Sequence, residues 1–474
     1  MSSFNSASQE FLVWLSKSGA EVSENLKLQD LREIQAGRGV VAVKDIAEDE
    51  LLFRIPRSSI LSVENSILSK EIPKATFEHL GPWLSLILVM LYEYQNGDAS
   101  NWAPYFRVLP SEFNTLMFWS REELEELQAS AVRSKIGKES TDETFKNELL
   151  PVIEECADIF FCGAADAKQR AAAMGQPHNL QLMHKMGTLI MAYAFDVEPA
   201  ESIKNVDEEG YASEEEDEDL PKGMVPLADM LNADADRNNA RLFYEENFLS
   251  MKALKPIKAG EEIFNDYGPL PRSDLLRRYG YITDNYAPYD VAELPLDTIS
   301  RVFQDHNGIL DEQKLEYLDE HGVLDSGYDI TASEPFALYK SLSPQLIVLA
   351  EVLILSDEEF NRLKARGKLP KPDKVTLEGA KLLHEMVKAR IAEYATSVEE
   401  DTREPVTIPL NDKYVSKERR IAMAKLVRIG EKNILKSVER ALAARVQELG
   451  ATNGTSKRSR QDTEDGASGK KQKR

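Results

Sequence analysis

Pro226-Leu227-Ala228-Asp229-Met230-Leu231-Asn232, followed by Asn265-Asp266-Tyr267-Gly268 and Arg278-Tyr279-Gly280-Tyr281, is the stretch from which the fold is read. Strand character lies between these segments, at Phe248 to Ala253 and Glu262 to Tyr267, around the turn Lys258-Ala259-Gly260. Upstream, Val40 to Val43 and Leu51 to Ile55 read as two paired strands separated by the charged turn Lys44 to Glu50, and Pro56 ends the second. From Pro82 to about Phe195 the pattern is helical, in the apolar block Leu84 to Leu91, the acidic amphipathic run Glu122 to Gln128, and Leu182 to Phe195. Strand chemistry therefore flanks a helical insert.

The pattern is helical again after residue 295. Leu346, Leu349 and Leu353 recur at helical spacing, and Val427, Ile434, Val438, Leu442 and Val446 keep one apolar face, so a separate helical domain is expected. Gly450 is a plausible stop. Beyond it, Ala451 to Arg474 is Ser, Gly and charge with almost nothing to bury, which predicts disorder. Asp207 to Asp219 holds nine acidic residues and no basic one, and predicts an extended surface loop.

A chain of 474 residues with 42% hydrophobic and 29% charged residues has the composition of a globular protein of more than one folded unit. Its 81 acidic against 58 basic residues leave a net charge of −23, which argues against direct binding of nucleic acid and suits a basic protein substrate, or simply solubility. Met1 to Leu15 has no basic segment followed by a long apolar run, and Leu84 to Leu91 is too short to span a bilayer, so no membrane partner is expected. Only Cys156 and Cys162 are present, which excludes a disulfide framework or a four-thiolate zinc site within the chain and fits a reducing compartment. With no His at ligand spacing they read as buried thiols, and no metal is expected.

Gly37-Arg38-Gly39-Val40-Val41-Ala42 formally matches a dinucleotide-binding fingerprint. That motif needs a strand before it and a helix after it, whereas these glycines open a β-branched run. A glycine pair before a strand more simply lets the backbone approach something closely.

Together with Gly37 to Val43, and with Leu52 to Ser62 containing Ile55-Pro56-Arg57, the opening segments resemble the SET domain of the Rubisco large-subunit methyltransferase type. Gln345 to Ser356 and Val427 to Leu435 are similar to that family's substrate-binding domain. Within it the chain most resembles the ribosomal lysine N-methyltransferase group of fungi, with the nuclear SET-domain methyltransferases of animals next. The resemblance implies an α+β fold with a β-rich SET domain in two parts, 25–80 and 223–290. These parts flank a helical insert, 81–222, that includes the acidic loop 207–219. An all-helical substrate-binding domain, 295–450, and a disordered basic tail, 451–474, would follow.

The activity so implied is S-adenosyl-L-methionine-dependent methylation of a protein lysine, on a large-subunit ribosomal protein. A histone or other nuclear substrate, or an inactive SET-fold binding module, stays open as an alternative. By the same resemblance, Gly37, Arg38, Gly39, Asn232, Ala233, Tyr267 and Tyr279 hold the cofactor, Tyr267 is catalytic, and Trp102, Tyr193 and Asp196 line the lysine channel, with a packing anchor the alternative for Trp102 beside Pro104 and Tyr105. Most SET domains carry His after the motif Asn, whereas Asn232 is followed here by Ala233. The family holds its cofactor at this segment largely through backbone groups, so Ala233 is expected to be tolerated. Lys457, Arg458 and Arg460, then Lys470, Lys471, Lys473 and Arg474, resemble a bipartite nuclear-localisation signal. This points to the nuclear import machinery and the nucleus, with the cytoplasm also open and a solubilising tail the plainer alternative.

Overall fold

The computed structural model describes residues 3–197, 220–307, 311–333, 335–410 and 413–468, without the side chains of 3, 306–307 and 452–468. The acidic stretch Asp207 to Asp219, the residues Lys470, Lys471, Lys473 and Arg474, and the side chains of Lys457, Arg458 and Arg460 lie outside the described residues.

The chain opens with a helix, α1 (Ser3–Lys17), and then five strands: β1 (Glu21–Val22), β2 (Leu26–Asp30), β3 (Arg38–Ala42), β4 (Leu51–Pro56) and β5 (Leu61–Ser62). After the helical stretch come β6 (Ala194–Asp196), β7 (Lys222–Met224), β8 (Ala240–Tyr244), β9 (Phe248–Ala253) and β10 (Glu262–Ile263). These ten build three small sheets, ordered β1-β4-β9-β8, β10-β3-β2 and β5-β7-β6. Each sheet takes strands from both sides of the helical stretch, so the two halves fold as one body.

The strands expected at Val40 and Leu51 are present, but they do not pair with each other. Val40 lies between Leu28 and Ile263, while Phe53 lies between Val22 and Met251. Val40 to Ala42 are all buried, as are Leu52, Phe53 and Ile55. Strands covered this thoroughly sit inside sheets with a neighbour on each edge, and the charged turn between them lets each join a different sheet. The strand expected over Glu262 to Tyr267 is confined to Glu262–Ile263, because Asn265 leaves the sheet to bond with the Asn232 segment.

Within the helical stretch, α2 (Lys74–Gln95) begins earlier than the sequence pattern suggested and breaks at Gly81 (φ 68°, ψ 174°), immediately before Pro82. Proline disfavours the helical conformation in the residue before it, and glycine alone tolerates this φ without strain. By length and composition α2 could cross a membrane. The break leaves only roughly 20 Å of continuous helix, short of a bilayer's ~30 Å, and Leu86 to Leu91 are buried in protein. The stretch ends in α3 (Pro177–Tyr193), and one core takes in Leu15, Leu52, Leu88, Leu189 and Leu249 from every part. Cys156 is half-buried and Cys162 exposed, both free, so they are not the buried thiols expected. They flank a single helical turn, Ala157–Phe160, whose buried positions are taken by Ala157 and Phe160.

Beyond β10, α4 (Arg272–Tyr279) leads to a second core built on α5 (Pro344–Leu353), α6 (Leu377–Ala392) and α7 (Lys417–Ser468). This domain also carries a two-stranded antiparallel sheet, β11 (Val291–Pro295) with β12 (Gly327–Thr331), that the helical reading did not contain. The α7 backbone runs past Gly450, where the sequence suggested a stop, so the tail expected to be disordered is helical to Ser468. An interior glycine costs a helix only about 1 kcal/mol, and extending an existing helix adds a hydrogen bond per residue.

The N-terminal half of α7 seals the two cores together. Met423, Ala424 and Val427 pack with Leu116, Trp119 and Leu276 in a small third cluster. Beside it lies a polar seam in which Asp401 bonds Arg428 and Lys432, and Glu431 accepts from Ser130 Oγ at 2.6 Å and Tyr394 OH at 2.8 Å. Burial pushes the Glu431 carboxyl up to about 7 despite these donors. Raised above its ordinary 4.5, it binds its proton more tightly folded than unfolded. Its contribution to stability is therefore full below pH ~4.5 and is lost as the pH rises through 7. Glu431→Gln, which cannot ionise, should show a melting temperature that gains on wild type as buffers are stepped from pH 5 to pH 8; a constant difference would contradict this.

Candidate functional site

Asn232 sits where the chain emerges from the 3-10 turn Ala228–Met230, and three acceptors fix its side chain. Its Nδ2 donates to Glu262 Oε1 at 2.7 Å, Ala36 O at 3.2 Å and Arg38 O at 3.4 Å. Its carbonyl accepts from Asn265 N at 2.8 Å, and Ala233 bridges Asn265 in parallel. The segments around 37–39, 232–234 and 265–267 are thus bonded into one junction. Gly39 is part of it because a larger residue would displace its neighbours: a Cβ there would lie 2.4 Å from Leu31 Cδ1 and 2.6 Å from Glu262 Oε1. Gly37, in contrast, has a left-handed φ of 65° and opens onto free space. Gly39→Ala should destabilise the fold by about 1–3 kcal/mol through this overpacking and weaken cofactor binding, read by thermal melts with and without ligand. Unchanged melting would remove the junction from the account.

The Arg38 side chain turns away from the junction. It donates to Val108 O at 2.7 Å, Ser8 Oγ at 3.1 Å and Phe4 O at 3.4 Å, and its guanidinium lies 3.7 Å from the Phe4 ring centroid. Desolvation lowers it to about 10. Arg38 therefore anchors α1 to β3, and only its backbone belongs to the junction.

Tyr267 and Tyr279 stack with ring centroids 4.1 Å apart and planes 9° apart, and Tyr281 meets Tyr279 edge-on at 6.5 Å. Burial raises all three phenols above their ordinary value, and Tyr193 and Tyr414 with them. Each of the five nevertheless keeps some solvent contact, so they form a crowded, partly exposed wall rather than a sealed core. Among the described residues, burial and neighbouring phenols perturb Tyr267 and no hydrogen bond does, which leaves its hydroxyl neutral and open to a ligand. The Tyr281 hydroxyl is buried and faces that of Tyr286.

Below this wall Asp229 is buried and accepts a short hydrogen bond from Tyr105 OH. Burial raises its carboxyl to about 7, with the Tyr105 bond pulling the other way. Leu227, two residues earlier, is buried with a φ of 74°, a strained conformation for a branched residue held by the surrounding core.

Of the residues read as lining a lysine channel, Tyr193 lies among the tyrosines and Trp102 does not. Trp102 is buried in the main core, and its indole N–H donates to Ser59 O at 3.1 Å. It is a packing anchor, as its place one turn before the fully buried Tyr105 requires. Asp196, in β6, holds Lys222 of β7 at 2.7 Å, which occupies its carboxylate within the sheet. Tyr105, Tyr414 and Glu262 were not read as site residues from the sequence, and Tyr281 was read only as part of its motif; their distant partners mark them. A groove of about 610 Å³ lies elsewhere, between Asp290, Thr331, Phe336, Asn433 and Ser437, and shares no residue with the tyrosine wall.

The SET domain model matches residues 37–268, and the Rubisco LSMT substrate-binding model matches 310–435. Ribosomal lysine N-methyltransferase 4 of Saccharomyces cerevisiae is 36% identical over 377 residues, covering 75% of this chain and 73% of the relative. The chain belongs to the SET-domain protein lysine methyltransferases. N-lysine methyltransferase setd6 of Xenopus laevis is 29% identical, with 90% of this chain and 93% of the relative covered. The SET domain of LSMT, solved with lysine and AdoHcy, shares the fold with a TM-score of 0.67 at 23% identity, covering 94% of this chain and 93% of that one. This SET-domain enzyme is thus a protein-lysine N-methyltransferase whose methyl donor is S-adenosylmethionine. Its strand at Arg38–Ala42, which takes in Gly39 where the fingerprint needs a helix to begin, rules out the dinucleotide reading of Gly37 to Ala42. The junction suits the donor, since Gly37 leaves room beside it and Gly39 lets the Asn232 and Glu262 side chains close against the strand.

Proposed function

We propose that this enzyme methylates a lysine of a large-subunit ribosomal protein, using Tyr267 to orient the reacting amine. The observation that carries the substrate is the 36% identity to a yeast ribosomal lysine N-methyltransferase, extending through three quarters of both chains. A net charge of −23 suits the approach of basic ribosomal proteins.

When bound, the donor supplies a methyl group on a positively charged sulfur. A lysine with a free pKa of about 10.4 must lose its proton before it can accept that methyl. The tyrosine wall helps by desolvation: surroundings that raise five phenols also disfavour an ammonium. Asp229, held partly neutral near pH 7, does not present a full carboxylate that would trap the lysine in its charged form. The proton then leaves to water, and Tyr267, protonated at working pH, serves for alignment rather than as a base. In this reading Gly37, Gly39, Asn232, Ala233 and Tyr279 hold the donor, with Arg38 contributing through its backbone, and Tyr193 flanks the lysine.

The two basic clusters of the tail support nuclear import, in keeping with ribosomal proteins being assembled in the nucleus. Removing residues 457–474 from a fluorescent fusion should shift it to the cytoplasm, and an unchanged distribution would discard the signal. The substrate is tested by incubating the purified enzyme and labelled S-adenosylmethionine with ribosomes from cells lacking the gene. Label on a lysine of one large-subunit protein is expected. Label confined to histones or other nuclear proteins would replace the ribosomal substrate, and no label despite measurable donor binding would contradict it.

A further inference from the structure

The described arginines and lysines that are more than nine-tenths buried are almost all paired. Arg272, Arg390, Arg420, Arg428 and Lys432 each meet a carboxylate, and Lys314 donates to two backbone carbonyls. Arg419 is the exception among them. It is 5% exposed, its Nε and Nη1 have no hydrogen-bond partner among the described residues, and its guanidinium lies 5.6 Å from the Tyr414 ring centroid. Among the described residues, apart from burial, only Tyr414 acts on its charge, and no carboxylate does. A buried, unpaired cation is costly to maintain, and such a cost is found where a ligand supplies the missing partner.

Its position says which ligand. Arg419 occupies the first turn of α7, where the helix end itself favours an anion. Two described residues before it, Pro409 and Tyr414, reach different parts of the site. Pro409 O accepts from Gln35 Nε2 at 3.2 Å, two residues from Gly37. Tyr414 O accepts from Asn114 Nδ2 at 2.7 Å, and the Asn114–Thr115 backbone packs so tightly on Gly280 that a Cβ there would lie 2.8 Å from Thr115 N. Tyr414 is also the neighbouring group that acts most strongly on Tyr193. Arg419 therefore lies beside Tyr414, which flanks the tyrosine wall. The donor ends in an amino acid whose carboxylate needs a cation, and Arg38, the cation of the junction sequence, spends its guanidinium on Phe4, Ser8 and Val108.

We propose that Arg419 binds the carboxylate of the methyl donor's amino-acid end. The inference rests on the cleft being where Tyr193, Tyr267 and Tyr279 place it. The test titrates full-length wild type, Arg419→Met and Arg419→Lys by calorimetry with S-adenosylmethionine and with its decarboxylated analogue, which keeps the sulfonium and the amine.

Arg419→Met should bind S-adenosylmethionine roughly 10- to 100-fold more weakly, as loss of a charge-assisted hydrogen bond implies. It should bind the decarboxylated analogue as wild type does, and Arg419→Lys should recover part of the loss. Without ligand, Arg419→Met should melt no lower than wild type, since an unpaired buried charge has been removed. Equal weakening of both ligands would overturn the proposal in favour of a structural role. Unchanged donor binding with a raised KM for the protein substrate would overturn it in favour of an acidic group on that substrate. Tyr267→Phe, run in parallel, separates the two levels: full transfer in that variant would displace the cleft, whatever Arg419 does.

Discussion

Tyr267→Phe is expected to lower methyl transfer roughly 100-fold, the cost of losing alignment at a reacting centre, while leaving S-adenosylmethionine affinity and melting temperature close to wild type. The substitution removes one oxygen and nothing else. The ring stays stacked on Tyr279, and among the described residues no hydrogen bond to the hydroxyl is lost. A phenol held above its ordinary pKa stays protonated at working pH, so the loss should not depend on pH as loss of a base would. Measuring kcat and donor Kd on the same preparations checks both halves. A matched fall in binding and turnover would make Tyr267 a cofactor ligand only, and undiminished turnover would remove it from the reaction.

Asp401→Ala is expected to be the most damaging change outside the cleft. Asp401 is 2% exposed, and its carboxylate meets Arg428 Nη2 at 2.9 Å, Lys432 Nζ at 2.6 Å and the Thr396 hydroxyl at 3.0 Å. Burial alone would raise its pKa, but the bonds from Arg428 and Lys432 outweigh it and hold the carboxyl below the usual range. Truncation leaves two buried cations facing each other, at a cost of about 3–5 kcal/mol, seen as a shifted denaturation midpoint. Because the pKa is depressed in the fold, the pair's stabilisation is present above the unfolded carboxyl's pKa and is lost as pH falls through the folded value. Wild type and variant should therefore converge in acid. A difference that persists unchanged at low pH would mean the ion pairs are not its source.

Much of the catalytic half was legible because its signals are short. Asn232, Tyr267 and Tyr279 stand in compact motifs, and the glycines before Val40 marked a close backbone approach that Gly39 makes. Strand existence was legible at Val40, Leu51 and Phe248, but partners were not. Pairing Val40 with Leu28 and Ile263 depends on which buried edges meet in space, and local pattern carries no record of that. Two-residue strands such as β1, β5 and β10 are too short to leave a period. Trp102 could not be resolved from the sequence, because an aromatic beside Pro104 looks the same whether it lines a channel or fills a core; the structure places it in the core with its indole N–H on the Ser59 carbonyl. Arg419 carried no signal at all, since its distinction is that no distant segment among the described residues supplies it with a partner.

The measurement that bears most directly on the central claim is the mass spectrum of large-subunit ribosomal proteins from cells lacking this gene, complemented with wild type or with Tyr267→Phe. The account predicts that wild type adds the mass of one or more methyl groups at a lysine of one such protein and that the variant does not. No methyl-lysine on any large-subunit protein, or the same one with both, would contradict it.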